Sequence, residues 1–236
     1  MLVDAHCHAH AFSDAELREF SEIRIIAVSE DLESSRRTID LSKRFNNIIP
    51  FIGIHPWDLE SISEKELEEV LEILRLSGAM GIGEVGVDGR IKRSIQRQVE
   101  VFKLFCEISA ELDLPMNIHA LDAWDQVFEI TLKMDVRRAL FHWYTGPIRL
   151  LRDIGEAGYY ISINPAVRVQ PKHRKVLEIA ELDMIVTESD GPYNYRGLRL
   201  EPTMISDLME FISDVKGVDR TYLEKIIERN FERLLG

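Results

Sequence analysis

Eight short apolar runs, separated by segments with helical patterns, constrain the fold of this chain more than any other feature. Each run has the length of a β-strand, and several are rich in Ile and Val, as strands buried on both faces are. The runs are Leu2–Asp4, Arg24–Val28, Ile49–Ile54, Met80–Gly83, Pro115–Ile118, Ala139–Phe141, Tyr159–Ile163 and Met184–Thr187. The pattern predicts parallel strands that alternate with covering helices.

The intervening segments carry helix signals. Ser63 stands three residues before Glu66, which is the spacing of a capping box at a helix start. The predicted helices are Glu64–Ser77, Ser94–Leu112, Arg149–Ala157 and Asp219–Leu235. Strand and helix alternate about eight times, which predicts a (β/α)8 TIM barrel in the α/β class. An open doubly wound sheet is the alternative, and it is disfavoured because polar residues follow the strands all round rather than at one switch point.

Length and composition agree with one barrel domain over residues 1–236. The chain is 45% hydrophobic, and no segment looks like a linker or a repeat. Its net charge of −12 disfavours a broad nucleic-acid-binding surface, although a locally positive cleft remains compatible with it. Cys7 and Cys106 indicate no disulfide scaffold, and no apolar run is long enough to span a membrane. We therefore expect a cytoplasmic protein, and the sequence leaves its oligomeric state open.

Ionisable residues recur directly after the predicted strands. His6 and His8 follow the first strand, and the alternation of side chains puts them on one face. The other strand ends supply His55, Glu84, His119, His142 and Asp190. In (β/α)8 enzymes the catalytic residues lie at this end of the barrel, and nitrogen and carboxylate donors suit zinc, manganese, nickel or iron. The sequence predicts a metal centre here, although His6 and His8 alone would also fit a pair of surface histidines.

Six motifs, taken together and in order, carry a family resemblance. They are DAHCH at Asp4–His8, GIHPW at Gly53–Trp57, GEVGVD at Gly83–Asp88, IHALDA at Ile118–Ala123, FHWYTG at Phe141–Gly146 and ESDGPY at Glu188–Tyr193, and RNFERLL at Arg229–Leu235 matches the last helix. The chain resembles the TatD-type deoxyribonucleases of the amidohydrolase superfamily over nearly its whole length. The resemblance implies a metal-dependent hydrolase that releases nucleotides from a nucleic-acid end.

The resemblance also implies a ligand set for two divalent metal ions, taken from Zn, Mn, Mg, Ni and Fe. The ligands would be His6, His8 and Asp190 for one ion, His119 and His142 for the second, and Glu84 as a bridge between them. His55 would face the substrate phosphate. A water or hydroxide shared by the ions would be the nucleophile, and Asp190 is the candidate for accepting its proton, with Glu84 as the second catalytic carboxylate.

Some positions depart from the family pattern. Leu121 stands where the family usually has an arginine, which would be a natural phosphate clamp. Gly89 replaces an aromatic residue, and Trp143 and Tyr144 fill positions where smaller residues often occur. The predicted substrate is a small or single-stranded anion. Leu121 keeps a second function open, the hydrolysis of a small ester, amide or lactone; a non-catalytic metal-binding barrel is a third, disfavoured by the complete ligand set.

Several other polar residues have weaker signals. Asp4 and Glu188 share strand faces with predicted ligands, and they either orient those ligands or bond to the backbone. His10 is interpreted as a spectator in a polar loop, and His173 as part of a solvated helix start. Asn230 is expected to form a buried hydrogen bond. Basic residues in the segments Arg90–Arg97, Arg168–Lys175 and Arg196–Arg199 predict a positive rim around the barrel mouth.

Overall fold

The computed structural model describes residues 1–236 and contains a sheet of eight parallel strands in the order β1 to β8. The strands are β1 Leu2–Cys7, β2 Ile23–Val28, β3 Ile48–Ile52, β4 Gly81–Gly86, β5 Met116–His119, β6 Ala139–Phe141, β7 Tyr160–Ile163 and β8 Ile185–Thr187. The first and last strands meet, because the Thr187 hydroxyl donates a 2.6 Å hydrogen bond to the Val3 carbonyl and Asp190 N donates to His6 O. The predicted (β/α)8 barrel is confirmed.

Nine helices surround the barrel. They are α1 Asp14–Glu19, α2 Leu32–Arg44, α3 Glu64–Leu76, α4 Ile95–Leu112, α5 Trp124–Lys133, α6 Leu150–Glu156, α7 Pro171–Ile179, α8 Ile205–Lys216 and α9 Arg220–Leu235. The predicted capping box begins α3, where the Ser63 hydroxyl accepts from Glu66 N. The last helix begins after Asp219, whose carboxylate accepts from Tyr222 N, and this removes one unpaired donor from the helix start.

Three strands, β1, β4 and β5, continue further towards their carboxyl ends than their apolar composition predicted, whereas β3 ends earlier, at Ile52. The first strand runs through His6 to Cys7, and the fourth runs through Glu84 to Gly86. The polar residues in these strands are themselves buried in the barrel. Their side chains therefore project from strands and not from loops, at points where the strand pairing is irregular, between Asp4 and Cys7 and between Ile82 and Val85.

A short antiparallel hairpin lies beside the barrel mouth and was not predicted from the sequence. Its strands are β9 Tyr193–Tyr195 and β10 Leu198–Leu200. The rings of Tyr193 and Tyr195 meet Trp143 edge-on, with centroid distances of 6.0 and 5.0 Å. The hairpin thus forms one aromatic wall of the mouth.

Two further expectations concern the chain as a whole. Both cysteines are free and buried, as predicted for core residues outside any disulfide. None of the helices is long and apolar enough to cross a membrane. The cytoplasmic location stays a prediction.

Candidate metal centre

Glu84, at the carboxyl end of β4, stands at the middle of the polar cluster. It is 1% exposed, and its Oε1 atom lies 2.9 Å from His119 Nδ1, 2.9 Å from His142 Nε2 and 3.2 Å from His55 Nε2. Its Oε2 atom points to the other side, towards the histidines of β1. The two oxygens of one buried carboxylate therefore face different imidazole nitrogens, as a bridging ligand needs, and the His6 and His142 rings on the two sides stack at 4.0 Å.

The first group consists of His6, His8 and Asp190. The two Nε2 atoms lie 3.4 Å apart, and the Asp190 Oδ1 atom is 3.3 Å from His6 Nε2 and 3.4 Å from His8 Nε2. Glu84 Oε2 completes the group at 3.3 and 3.6 Å from the same two nitrogens. Ligand bonds of about 2.0–2.1 Å in a tetrahedron place neighbouring donor atoms about 3.3–3.4 Å apart. The spacing of the two nitrogens and Asp190 Oδ1, with Glu84 Oε2 beside them, fits the ligands of a single transition-metal ion.

The second group consists of His119 and His142 with the other oxygen of Glu84. His119 Nδ1 and His142 Nε2 lie 3.4 Å apart. The Nε2 atom of His119 lies 3.2 Å from Asp88 Oδ2, so Asp88 can accept a proton from that nitrogen, which would leave Nδ1 free to bind an ion. A carboxylate behind a histidine in this way is the usual support for a metal ligand. The residues present fit a second ion.

The electrostatics of the cluster reflect the same convergence. Burial lowers the pKa of His6, but the charge of Glu84 and the hydrogen bond with Asp190 outweigh it and hold that pKa well above its usual range. The same competition raises the pKa of His142 to about 9. Burial raises the pKa of Glu84, yet the surrounding histidines bring it well below its ordinary value. In the absence of metal, protons on His6 and His142 thus compensate the charge of Glu84, a role that cations could take.

His55 lies inside the cluster rather than at its rim. Its ring is 5% exposed, Trp57 N donates to its Nδ1 atom at 3.2 Å, and its Nε2 atom faces Glu84. Burial lowers its pKa, so the neutral ring with a proton on Nε2 is the favoured form. The role of His55 towards a substrate phosphate stays a prediction.

Asp4 fastens β1 to the segment after β8. Its Oδ1 atom accepts hydrogen bonds from Ser189 N at 2.8 Å and from His6 N at 3.3 Å. Burial raises the pKa of Asp4 to about 7, although the bond from Ser189 opposes this. Of the two interpretations given to Asp4, the structure shows the backbone-bonding one. By joining these segments Asp4 brings His6 next to Asp190, whose backbone has a left-handed φ of 57°.

Glu188 supports the segment after β6 in a similar way. Its carboxylate accepts from Trp143 N at 2.9 Å, from the Ser162 hydroxyl at 2.5 Å and from Asn164 Nδ2 at 3.2 Å. It lies 3.9 Å from His142 Nδ1, which is beyond hydrogen-bond distance. Glu188 therefore holds the backbone that follows His142 rather than the imidazole itself.

Two histidines outside the predicted ligand set have surroundings that the sequence did not reveal. His173, predicted to be solvated, is fully buried: its Nδ1 donates to Tyr144 O at 3.0 Å, and Asn164 N donates to its Nε2 at 3.1 Å. That prediction was wrong because the first turn of α7 folds against the segment after β6, while its basic neighbours point outwards. His10 lies 3.1 Å from the Glu30 carboxylate, which in turn is 3.6 Å from His8 Nδ1.

The basic rim predicted from the sequence is largely neutralised. Arg93 pairs with Glu60 at 2.7 Å, Arg97 with Glu64 at 2.5 Å and Arg174 with Glu178 at 3.2 Å; Arg199 lies 3.2 Å from Glu16. These partners come from other segments or from the next helical turn, and charge counting along one loop does not reveal them. The positive region at the mouth is therefore smaller than the count of basic residues predicted.

The network around Asp88 was not predicted from the sequence. This buried carboxylate accepts hydrogen bonds from Trp57 Nε1 at 2.7 Å and from Arg90 Nη2 at 2.6 Å, in addition to its contact with His119. Its hydrogen bonds hold its pKa far below the usual range despite burial. The only sequence signal was its position directly after β4 within the GEVGVD motif.

The fold and the centre together define a (β/α)8 barrel with histidine and carboxylate donors converging at the carboxyl ends of its strands. A family model described as "TatD related DNase" matches residues 3–236, and the chain belongs to this family. This confirms the resemblance found in the motifs.

Curated relatives match the chain over nearly its full length. It is 30% identical to an uncharacterized metal-dependent hydrolase of Methanocaldococcus jannaschii, over 97% of this chain and 94% of the relative. It is 29% identical to the protein of Homo sapiens named deoxyribonuclease TATDN3, over 96% of this chain and 90% of the relative. Among solved structures, a TatD homologue from Escherichia coli superposes with a TM-score of 0.89 at 20% identity, covering 99% of this chain and 97% of that one, which supports the fold.

Proposed function

We propose that this protein is a metal-dependent phosphodiesterase that releases nucleotides from the ends of single-stranded DNA or RNA. Family membership and the names of its relatives support a metal-dependent hydrolase. The observation that carries the proposal is the position of Glu84, with one oxygen towards the histidines of β1 and the other towards those of β5 and β6. A pair of ions held on the two sides of one carboxylate suits the in-line displacement of a phosphodiester.

The proposed ligands divide into two sets that share Glu84. The first ion would be held by His6, His8 and Asp190, and the second by His119 and His142. When bound, the ions would acidify the attacking water and withdraw electron density from the scissile ester. The donor set is compatible with zinc, manganese, nickel or iron, and magnesium remains a candidate in a nuclease.

The remaining steps depend on side chains of the chain itself. The histidines of β1 hold the pKa of Asp190 well below its usual range, although burial opposes this. Asp190 is therefore ionised at neutral pH, and as the carboxylate beside the proposed water it is our candidate for accepting the proton. His55, neutral and with its Nε2 proton at the centre, would donate a hydrogen bond towards the substrate phosphate. Glu84 fixes the imidazoles on both sides.

The shape and charge of the barrel mouth favour a strand end over an intact duplex. Access to the centre is from one end of the barrel, and most arginines around that end are paired with carboxylates. With few phosphate contacts and a net charge of −12, we expect weak binding and a shallow salt dependence. On single strands the slope is about 0.7 per neutralised phosphate.

The competing function is hydrolysis of a small ester, amide or lactone at the same centre. It is favoured by Leu121, a partly buried apolar residue that packs against the core at the position where the family usually has arginine. A carbonyl substrate would need no second anionic contact. The two functions therefore predict different substrate panels.

The test uses metal-loaded protein on a labelled single-stranded oligonucleotide and on a panel of carboxylic esters and lactones. We expect stepwise release of nucleotides in the presence of manganese, and its loss after chelation. Turnover of esters or lactones without cleavage of the oligonucleotide, whichever of the divalent metals is supplied, would establish the competing function instead.

A further inference from the structure

Arg90 differs from the other arginines near the mouth because its partner carboxylate is buried. Asp88 is fully buried, and its Oδ1 atom accepts from Arg90 N at 2.9 Å and from Arg90 Nε at 3.0 Å. Its Oδ2 atom accepts from Arg90 Nη2 at 2.6 Å. The Arg90 side chain is nevertheless 49% exposed. The buried Asp88 carboxylate thus holds the guanidinium in place, while part of the Arg90 side chain faces solvent.

The Trp57 ring limits the position of the guanidinium on another side, and the backbone before Arg90 is held by a close contact of Gly89. Its central carbon lies 5.7 Å from the ring of Trp57, whose Nε1 atom donates to the same Asp88 carboxylate. The backbone of Gly89 approaches the segment after β5 so closely that Gly89 N donates to Leu121 O at 2.8 Å. A Cβ atom on Gly89 would lie 2.3 Å from Asp122 O, so this close crossing requires glycine.

This fixed guanidinium retains unused donors. A guanidinium has five N–H donors, and here Nε and one N–H of Nη2 bind Asp88. Nη1 makes no hydrogen bond to the protein, which leaves the edge formed by Nη1 and Nη2 for an oxyanion. That edge suits a phosphate, because two parallel N–H groups bind two of its oxygens. A pre-oriented side chain also loses little conformational entropy when it binds.

The location of this edge relates it to the metal centre. Asp88 Oδ2 contacts both Arg90 Nη2 and His119 Nε2, so the guanidinium and the imidazole of a proposed ligand share one oxygen atom. The neighbouring arginines of the same segment turn away, since Arg93 and Arg97 pair with Glu60 and Glu64. Arg90 is thus the arginine of this segment that lies next to the centre and keeps the N–H groups of its Nη1 and Nη2 edge available for a ligand.

We propose that Arg90 binds a phosphate group of the substrate beside the ester that is hydrolysed, which makes the substrate class an anionic nucleotide chain. The proposal rests on the proposed function, because it locates the second phosphate of the same substrate. It also explains how the centre recognises an anion although Leu121 has no charge. Arg90 belongs to the segment after β4, whose backbone at Gly89 is hydrogen-bonded to the segment that carries Leu121.

The direct test compares Arg90→Ala with Arg93→Ala, a matched arginine of the same segment that pairs with Glu60 and does not contact Asp88. Manganese-loaded proteins are titrated with thymidine 5′-monophosphate by calorimetry. We expect Arg90→Ala to weaken binding about tenfold or more, as the loss of a charge-assisted contact does. For binding of a short oligothymidylate, the slope of log K against log salt concentration should also be about 0.7 shallower in Arg90→Ala than in wild type. Arg93→Ala should change neither quantity. Equal behaviour of the two variants would overturn the proposal.

A second experiment separates phosphate binding from support of His119 through Asp88. Leu121→Arg in the Arg90→Ala background places a guanidinium on the adjacent segment, so it should restore binding without restoring the bond to Asp88. Arg90→Lys keeps the charge without the planar edge and should recover only part of the affinity. If metal content falls in Arg90→Ala and Leu121→Arg restores nothing, Arg90 acts only as a positioning residue and the proposal is wrong.

The outcomes for the substrate and for Arg90 remain distinguishable. If the wild-type protein cleaves no oligonucleotide, the proposed function fails, whereas nucleotide binding that depends on Arg90 would still assign the anion site. If the wild-type protein cleaves oligonucleotides and Arg90→Ala cleaves them with the same KM, the nuclease stands and the assignment of Arg90 fails.

Discussion

His142 and His173 are buried imidazoles of the same barrel with opposite protonation behaviour. The pKa of His142 is raised to about 9, whereas the pKa of His173 is lowered to about 4. Both rings lie at the carboxyl-terminal end of the barrel, His142 directly after β6 and His173 in the first turn of α7. Burial alone therefore does not determine what a histidine does in this fold.

The difference comes from the groups that each ring faces. Burial and the charge of His6 lower the pKa of His142, but Glu84 at 2.9 Å raises it more. Burial lowers the pKa of His173, and its partners are peptide groups, Tyr144 O and Asn164 N. Because Asn164 N donates to Nε2, that nitrogen must remain unprotonated. The side chains around Glu84 thus favour bound cations, whereas the surroundings of His173 favour a neutral imidazole.

The largest expected effect is the loss of metal and activity when Glu84 is changed, which a change of His173 should not cause. Glu84→Gln removes the charge that both ligand groups share, so we expect metal content to fall from two ions per chain and activity to fall by more than roughly 100-fold. Mutations that only reorient metal ligands cost about 10- to 100-fold. His173→Gln should leave metal content unchanged, as elemental analysis would show. Full metal content in Glu84→Gln would remove the basis for a bridging carboxylate.

The second prediction concerns stability at low pH. The folded-state pKa of His173 lies below the unfolded value of 6.5, so its contribution to stability is present above pH 6.5 and is lost as the pH falls towards 4. At 1.36 kcal/mol per pKa unit, the loss amounts to about 3 kcal/mol. Urea unfolding of wild type and His173→Gln at several pH values would measure it. A constant difference between the two proteins across this range would contradict the neutral-ring account.

The third prediction concerns the metal-free protein, in which His142 should make stability fall as the pH rises, opposite to the effect of His173. The folded-state pKa of His142 lies above 6.5, so its stabilisation is complete below pH 6.5 and is lost as the pH rises through about 9. Coupling to Glu84 makes about 3 kcal/mol an upper bound. Chelator-treated wild type should therefore lose stability at alkaline pH relative to His142→Gln. Loading with metal should abolish this pH dependence, because the ions replace the protons.

The sequence predicted the centre better than its surroundings for a physical reason. Strand ends in a parallel barrel meet at one end, so residues such as His6, Glu84 and Asp190 could be brought together without coordinates. The surroundings depend on which loops pack against each other. The pairing of Arg93 with Glu60, the burial of His173 and the unpredicted hairpin all depend on such packing, to which no local pattern points.

The interpretation of the rim changed for the same reason. Counting charges along the segment Arg90–Arg97 predicted a broad positive region. In the structure Arg93 and Arg97 pair with Glu60 and Glu64, and Arg90 binds the buried Asp88. Asp88 carried only a weak signal, because one carboxylate after a strand does not reveal that an arginine, a tryptophan and a histidine will all donate to it.

Anomalous diffraction from crystals soaked with manganese would locate the bound ions. We expect two peaks on opposite sides of the Glu84 carboxylate, one beside His6, His8 and Asp190 and the other beside His119 and His142. A single peak, or ions bound where Glu84 contacts neither, would contradict the two-ion centre.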